Sequence, residues 1–239
     1  MGIKERRERE KDERREEIIE AAGGVFFKKG LADATMDEIA LAAELSKGTL
    51  YLYYKSKEDL YLAVMLKGME IMSDLFKSAV STDEPSLKQI ANLGEAYYQF
   101  FEKHREYFRM FSFYESPLFH TQVSPDMLEL CSAHDREVWE LVMAPIKRGL
   151  EEGMLHKGLV PMEVAVMLWS NSNGLMRLID RQGEYWKESF GVDVSVLLRK
   201  SNAFLMEAMM TDEAKKMYSA TLLYHGTDPA TREAEVPSR

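Results

Sequence analysis

Between Leu45 and Lys57 the chain carries three lysines, Lys47, Lys55 and Lys57, and no acidic residue. Ser46, Gly48, Thr49, Tyr51 and Tyr53 are interleaved with them. Ammonium, hydroxyl and phenol donors arranged in this way suit a polyanion. Phosphate oxygens accept from them without regard to sequence, whereas base edges in a major groove distinguish a lysine from a methyl or hydroxyl contact. Other chemistry finds little support. Cys131 and His134 share a helix face at i,i+3, but no Cys/His set with zinc spacing accompanies them, and His104, His120 and His156 stand apart in sequence. No nucleophile elbow, phosphate loop or zincin pattern occurs. These residues predict binding rather than catalysis, with no metal and no cofactor.

Such donors must be held by short, well-capped elements. Apolar residues recur at helical spacing nearly throughout, as in Ile18, Ile19, Ala22, Val25 and Phe26. No strand-type alternation persists, so the fold class is all-α. A first helix is predicted from Asp12 to Lys29, stopping at Gly30. Thr35 with Glu38 forms a capping box that opens a helix from Met36 to Ala43. Ser46 caps a helix from Lys47 to Tyr53, with Leu45 placed to staple onto Leu50. Ser56 opens a long helix from Lys57 to Ser81. Only Glu44 to Ser46 separate the second and third helices, which is the length of a helix-turn-helix turn. In that motif the second helix enters the major groove with its early residues at base edges. Lys47, Gly48, Thr49 and Tyr51 are then exposed at its start, and Gly48 leaves room for close approach to the duplex. Lys47 can donate to guanine O6/N7, and Thr49 can offer a methyl to thymine or a hydroxyl to a base or phosphate. Tyr53, Lys57 and Thr35 are better placed for phosphates.

The stretch Thr35-Met36-Asp37-Glu38-Ile39-Ala40, followed by Leu45 through Leu60 (LSKGTLYLYYKSKEDL), closely resembles the tetracycline-repressor (TetR) family signature. Ile18 to Gly30, ending Phe26-Phe27 before Gly30, resembles that family's first helix. The resemblance covers residues 14–62. It implies a homodimer with a three-helix DNA-binding head, a ligand-binding C-terminal body, and repression relieved by a small molecule. Carried over position by position, Thr35, Tyr53 and Lys57 match phosphate contacts, and Ser46, Lys47, Gly48, Thr49 and Tyr51 match the start of the reading helix. Leu52 departs from the family, where an aromatic residue or histidine is common, and it can alter base preference or meet a thymine methyl. Gly23-Gly24 also departs, costing about 2 kcal/mol relative to alanine, and close packing is one explanation.

Further helices are predicted at 86–104, 106–115, 125–152, 161–182 and 194–210, with a short one at 213–223. The domain plan is a charged extension (1–11), a head (12–60), a ligand-binding and dimerisation body (61–225) and a disordered tail (226–239). The body is rich in aromatics and methionines, and most such side chains simply fill a core. As a set, Tyr97, Phe101, Met110, Phe111, Tyr114, Trp139, Met143, Trp169 and Met176, with Asn173 as a polar contact, are compatible with a pocket for a hydrophobic or aromatic effector. Asn171 and Arg177 are further polar candidates. By the resemblance, 161–182 and 194–210 form the dimer interface, with Val196, Leu197, Ala203, Phe204 and Met210 as apolar area and Gly174 permitting close approach.

The chain has 239 residues, 46% hydrophobic and 30% charged, and a net charge of −9. This suits a folded protein of one small and one larger domain. The acid lies mainly in the second part, since residues 1–60 carry 12 Lys/Arg against 14 Asp/Glu and residues 61–239 carry 19 against 26. A single cysteine fits a reducing compartment. No apolar run reaches the roughly 20 residues of a membrane span, and a cytoplasmic location is expected. The predicted partners are a palindromic duplex operator, a small hydrophobic effector and a second copy of the chain.

Overall fold

The computed structural model describes residues 2–80, 83–114 and 117–218. Among them the helices are α1 (Ile3–Asp33), α2 (Met36–Ala42), α3 (Lys47–Tyr53), α4 (Lys57–Val80), α5 (Ser86–Lys103), α6 (Arg105–Tyr114), α7 (Pro117–His120), α8 (Pro125–Glu151), α9 (Pro161–Phe190), α10 (Val194–Met209) and α11 (Asp212–Met217). No strand occurs among the described residues, only an isolated bridge between Leu155 and Met210. The fold is all-α as predicted, and no described helix is long and apolar enough to cross a membrane. The 226–239 segment and the 219–223 part of the last predicted helix lie outside the described residues.

Two compact units are present. The first takes the chain up to Ile71 together with His104–Arg136, and the second takes Met72–Lys103 with Glu137 onward. In the first, α1 begins earlier than predicted. The charged segment before Asp12 is helical, and its charges pair along the helix, as in Arg6–Glu10 and Arg9–Glu13. Gly30 takes a left-handed φ of 74° and kinks the helix. The regular helix breaks there as predicted, and a short segment, 31–33, follows the kink and carries Leu31 into the core. Ile18, Ala22 and Phe26 from α1, Ile39 from α2, Leu50 from α3 and Leu60 to Met65 from α4 close a shared apolar core. Burial of this kind contributes about 25 cal/mol per Å² of apolar surface.

Residues from α6 to α8 complete the same core. Met110, Phe119, Val123 and Cys131 are buried in it, and the ring of Tyr61 meets Phe26 at 5.1 Å and Phe119 at 5.8 Å, both edge-on. The Tyr61 hydroxyl donates to the Met110 carbonyl. At the start of α4, the buried Asp59 carboxylate accepts the Ser124 backbone N–H at 2.8 Å. Helix α7 is a single turn that the spacing did not reveal.

In the second unit α9 packs on α10 and α5. Leu87, Ile90, Ile146, Leu155, Val164 and Met206 form its core. Asn171 donates to Ser201 and Asn202, and Asn202 and Ser172 exchange hydrogen bonds, so the α9–α10 contact carries a satisfied polar network. Helix α9 continues past the predicted end at Gln182 to Phe190. Gly183 does not stop it, and over the added turns Tyr185 meets Trp186 and Phe190 edge-on. The actual stop is Gly191, in the left-handed conformation at φ 67°.

Candidate nucleic-acid interface

The head is assembled by its caps. Thr35 Oγ1 accepts the Glu38 N–H at 3.3 Å and Glu38 Oε2 accepts the Thr35 N–H at 3.2 Å, a complete capping box. Glu38 also pairs with Lys29 on α1, and the hydrogen bonds from Lys29 and Thr35 hold its carboxyl below the usual range. Ser46 Oγ accepts the Thr49 N–H at 3.1 Å and opens α3. Between α2 and α3, Glu44 takes a positive φ of 54°, an uncommon conformation for a residue with a side chain and the place where the chain reverses.

Helix α3 buries Leu50 and packs Tyr53 partly on the same core. Lys47, Gly48, Tyr51 and Leu52 are exposed, Leu52 by 84%, while Thr49 and Tyr53 are half-buried. These predicted groove residues therefore share one presented helix. The hydroxyl of Thr49 lies 2.8 Å from that of Ser46. A Cβ at Gly48 would meet nothing closer than Ser46 Oγ at 3.8 Å, so packing within the chain does not require glycine there. Leu41 on α2, which the sequence reading passed over, is 80% exposed.

The predicted phosphate donors are partly engaged within the chain. The Thr35 hydroxyl donates to Glu38 Oε2 at 3.1 Å. Lys57 Nζ donates to the carbonyls of Ala34 at 2.9 Å and Ala32 at 3.3 Å, at the end of α1, which uses two of its three protons. Lys47 Nζ donates to Asp37 Oδ2 at 2.9 Å, which raises the lysine pKa. Asp37 was not singled out in the sequence, because ten residues separate it from Lys47 and only the turn between α2 and α3 brings them together.

The residues predicted for an effector divide between the units. Met110, Phe111 and Tyr114 belong to the first, with Met110 buried and Phe111 and Tyr114 packed on the same core. Burial pushes the Tyr114 hydroxyl and the Cys131 thiol each up to about 12. In the second unit Tyr97, Phe101 and Met176 are buried. The Tyr97 hydroxyl donates to Asn173 Oδ1 at 3.3 Å, the indoles of Trp139 and Trp169 meet edge-on at 5.9 Å, and Met143 packs beside them on the core. Asn171 is spent on α10. On the faces expected to dimerise, Val196, Leu197 and Phe204 are exposed, and Gly174 has open space above it. Ala203 and Met210 are instead buried in the chain's own core, which corrects their assignment to that face.

Residues 18–64 match the model of bacterial regulatory proteins of the tetR family. The chain is 30% identical over 167 residues to the HTH-type transcriptional activator FasR of Mycolicibacterium smegmatis, covering 68% of this chain and 75% of that one. It is 34% identical over 79 residues to the HTH-type transcriptional regulator TtgR of Pseudomonas putida, covering 33% of this chain and 38% of that one. Its fold is similar to a TetR/AcrR-family regulator from Thermobifida fusca, with a TM-score of 0.63 at 20% identity over 81% of this chain and 97% of that one. It is also similar to FadR of Bacillus subtilis, solved in complex with stearoyl-CoA, with a TM-score of 0.62 at 15% identity over 81% of this chain and 98% of that one. These relatives are regulators of transcription rather than enzymes. The chain belongs to the TetR family and is a DNA-binding transcriptional regulator.

Proposed function

We propose that this regulator binds a palindromic operator as a homodimer in the cytoplasm, blocks transcription there, and is released by a small hydrophobic effector. The observation that carries the reading is the presentation of α3, whose Lys47, Gly48, Thr49, Tyr51 and Leu52 stand clear of the core that Leu50 anchors. Lys47 and Tyr51 supply donors to base edges, and Leu52 and the Thr49 methyl supply apolar contacts to thymine. Ser46 caps the reading helix, while Tyr53, Lys57 and Thr35 set its register on phosphates. Selection of bound sequences from random duplex DNA, repeated with Lys47→Ala and Tyr51→Ala, is expected to recover a palindrome that both changes weaken. Failure to enrich any site at low salt overturns the reading.

The second copy is proposed to dock on the α9 and α10 faces. Met167 and Gly174, seven residues apart on α9, and Leu197 and Phe204, seven apart on α10, present the apolar area that a two-fold interface buries. Phe204→Glu is expected to give a monomer in sedimentation, with operator affinity lost alongside.

For the effector, Tyr97, Phe101, Trp139, Met143, Trp169 and Met176 offer apolar and aromatic contacts, with Asn173 as a polar one. FadR holds stearoyl-CoA on a similar fold, so long-chain acyl-CoA heads the panel for titration against Trp139 and Trp169 fluorescence. An effector acts only through unequal affinity for two conformations, so the active compound must also release operator DNA. One observation favours a second sign of regulation, namely the likeness to FasR, an activator. A reporter carrying the selected site decides between the two by its output with and without the regulator.

A further inference from the structure

We propose that Asp37 sets the DNA affinity of the reading helix and its salt dependence, holding Lys47 in an ion pair within the chain that DNA must displace. Both groups are exposed, with Lys47 Nζ 2.9 Å from Asp37 Oδ2. Asp37 is the second residue of α2 and Lys47 the first of α3, so the pair spans the two helices of the helix-turn-helix. Of the two acids in the first turn of α2, Glu38 is engaged by Lys29 and Thr35, and Asp37 is the one that reaches the reading helix. The inference rests on the DNA-binding role of α3 and adds a residue that the role alone does not assign.

An exposed pair of this kind is weak and yields to a stronger partner. The consequence lies in what replaces it. On random DNA, Lys47 exchanges one carboxylate for one phosphate and gains little. At a cognate base pair it exchanges the carboxylate for guanine O6 and N7, a contact that discriminates between bases. Because the same pair is broken in both cases, Asp37 lowers affinity for random and cognate DNA by a similar factor, and the discrimination stays with the contact that Lys47 makes. A lysine already neutralised within the chain also adds less to counterion release, so the salt dependence of binding is shallower than the number of cations near the duplex implies.

The test uses full-length protein and a random-sequence duplex, with binding read by fluorescence anisotropy between about 50 and about 200 mM salt. Asp37→Asn, which keeps size and polarity, should bind random duplex about two- to fivefold more tightly at low salt. It should steepen the slope of log K against log salt by about one. Asp37→Ser serves as a second variant, since serine also suits a helix start, and circular dichroism checks the fold of each. In a Lys47→Ala background both changes should become silent. Unchanged affinity and slope overturn the proposal, and so does an equal gain in the Lys47→Ala background, which assigns the effect to the charge of Asp37 alone. A wild-type chain that binds no duplex at low salt removes the DNA-binding role itself, a failure visible before any variant is made.

Discussion

Gly68 on α4 lies so close to Tyr107 on α6 that a Cβ at residue 68 would come within 2.7 Å of the Tyr107 Cδ1 and 2.8 Å of its Cβ and Cγ. Real Cβ atoms do not approach other carbons so closely, and a tyrosine Cβ cannot swing away as the tip of a flexible side chain can. The ring of Tyr107 also meets Phe27 of α1 edge-on at 5.1 Å, so one contact ties α1, α4 and α6 together within the first unit. Gly68→Ala is expected to cost about 1–3 kcal/mol, the usual penalty of overpacking, measured by thermal denaturation. In a Tyr107→Ala background the penalty should shrink without vanishing, because the Cβ of residue 107 remains.

Gly23 and Gly24 behave differently. The sequence offered close packing as an explanation for two glycines inside a helix. A Cβ at Gly23 would sit 3.5 Å from Phe27 and Val64, which is ordinary contact, and one at Gly24 would meet nothing within 4 Å. Gly24→Ala is therefore expected to stabilise the head by about 0.5–1 kcal/mol through lost freedom in the unfolded chain. A raised Tm with unchanged DNA affinity would bear this out, and a lowered Tm would contradict it.

These two cases mark the difference between what was legible in the sequence and what was not. Caps are local, so Thr35 with Glu38, Ser46 with Thr49 and Ser56 with Asp59 could be read directly, and they place α2, α3 and the start of α4. Gly68 gave no signal, because its partner lies thirty-nine positions away. The same holds for the pairing of Asp37 with Lys47, and for the burial of Met110, Phe119 and Cys131 with the head rather than with the later helices. Helical periodicity identifies an apolar face without saying what covers it. For that reason Phe204 and Met210 looked alike in sequence, although one is 71% exposed and the other fully buried.

Asp135 on α8 offers a pH-dependent test. Burial raises its carboxyl above the ordinary value of 3.8, against the opposing effects of a hydrogen bond from Tyr114 and the nearby His134. A raised folded-state pKa means that the native chain keeps this proton after the unfolded chain has lost it. Stability then falls as pH climbs from 3.8 through the raised value, and levels off above it. Asp135→Asn keeps an acceptor for Tyr114 and removes the titration. The Tm advantage of the variant over wild type should therefore widen across that interval and then stay constant. A difference independent of pH would show that the carboxyl titrates alike in both states.

A single variant separates the structural contact of Lys57 from its proposed contact with phosphate. Its ammonium donates to the Ala32 and Ala34 carbonyls, where α1 ends and its dipole is negative. One proton remains for a phosphate. Lys57→Met keeps the aliphatic stem and removes the charge, so the head should lose about 0.3–1 kcal/mol of stability through the lost cap. If the remaining proton meets the DNA backbone, the slope of log K against log salt should also fall by about one, uniformly across sequences. Melting and salt titration of the same preparation report the two effects independently. A lowered Tm with an unchanged slope would make Lys57 a structural clamp on α1 and remove it from the interface, leaving Tyr53 and Thr35 to set the register.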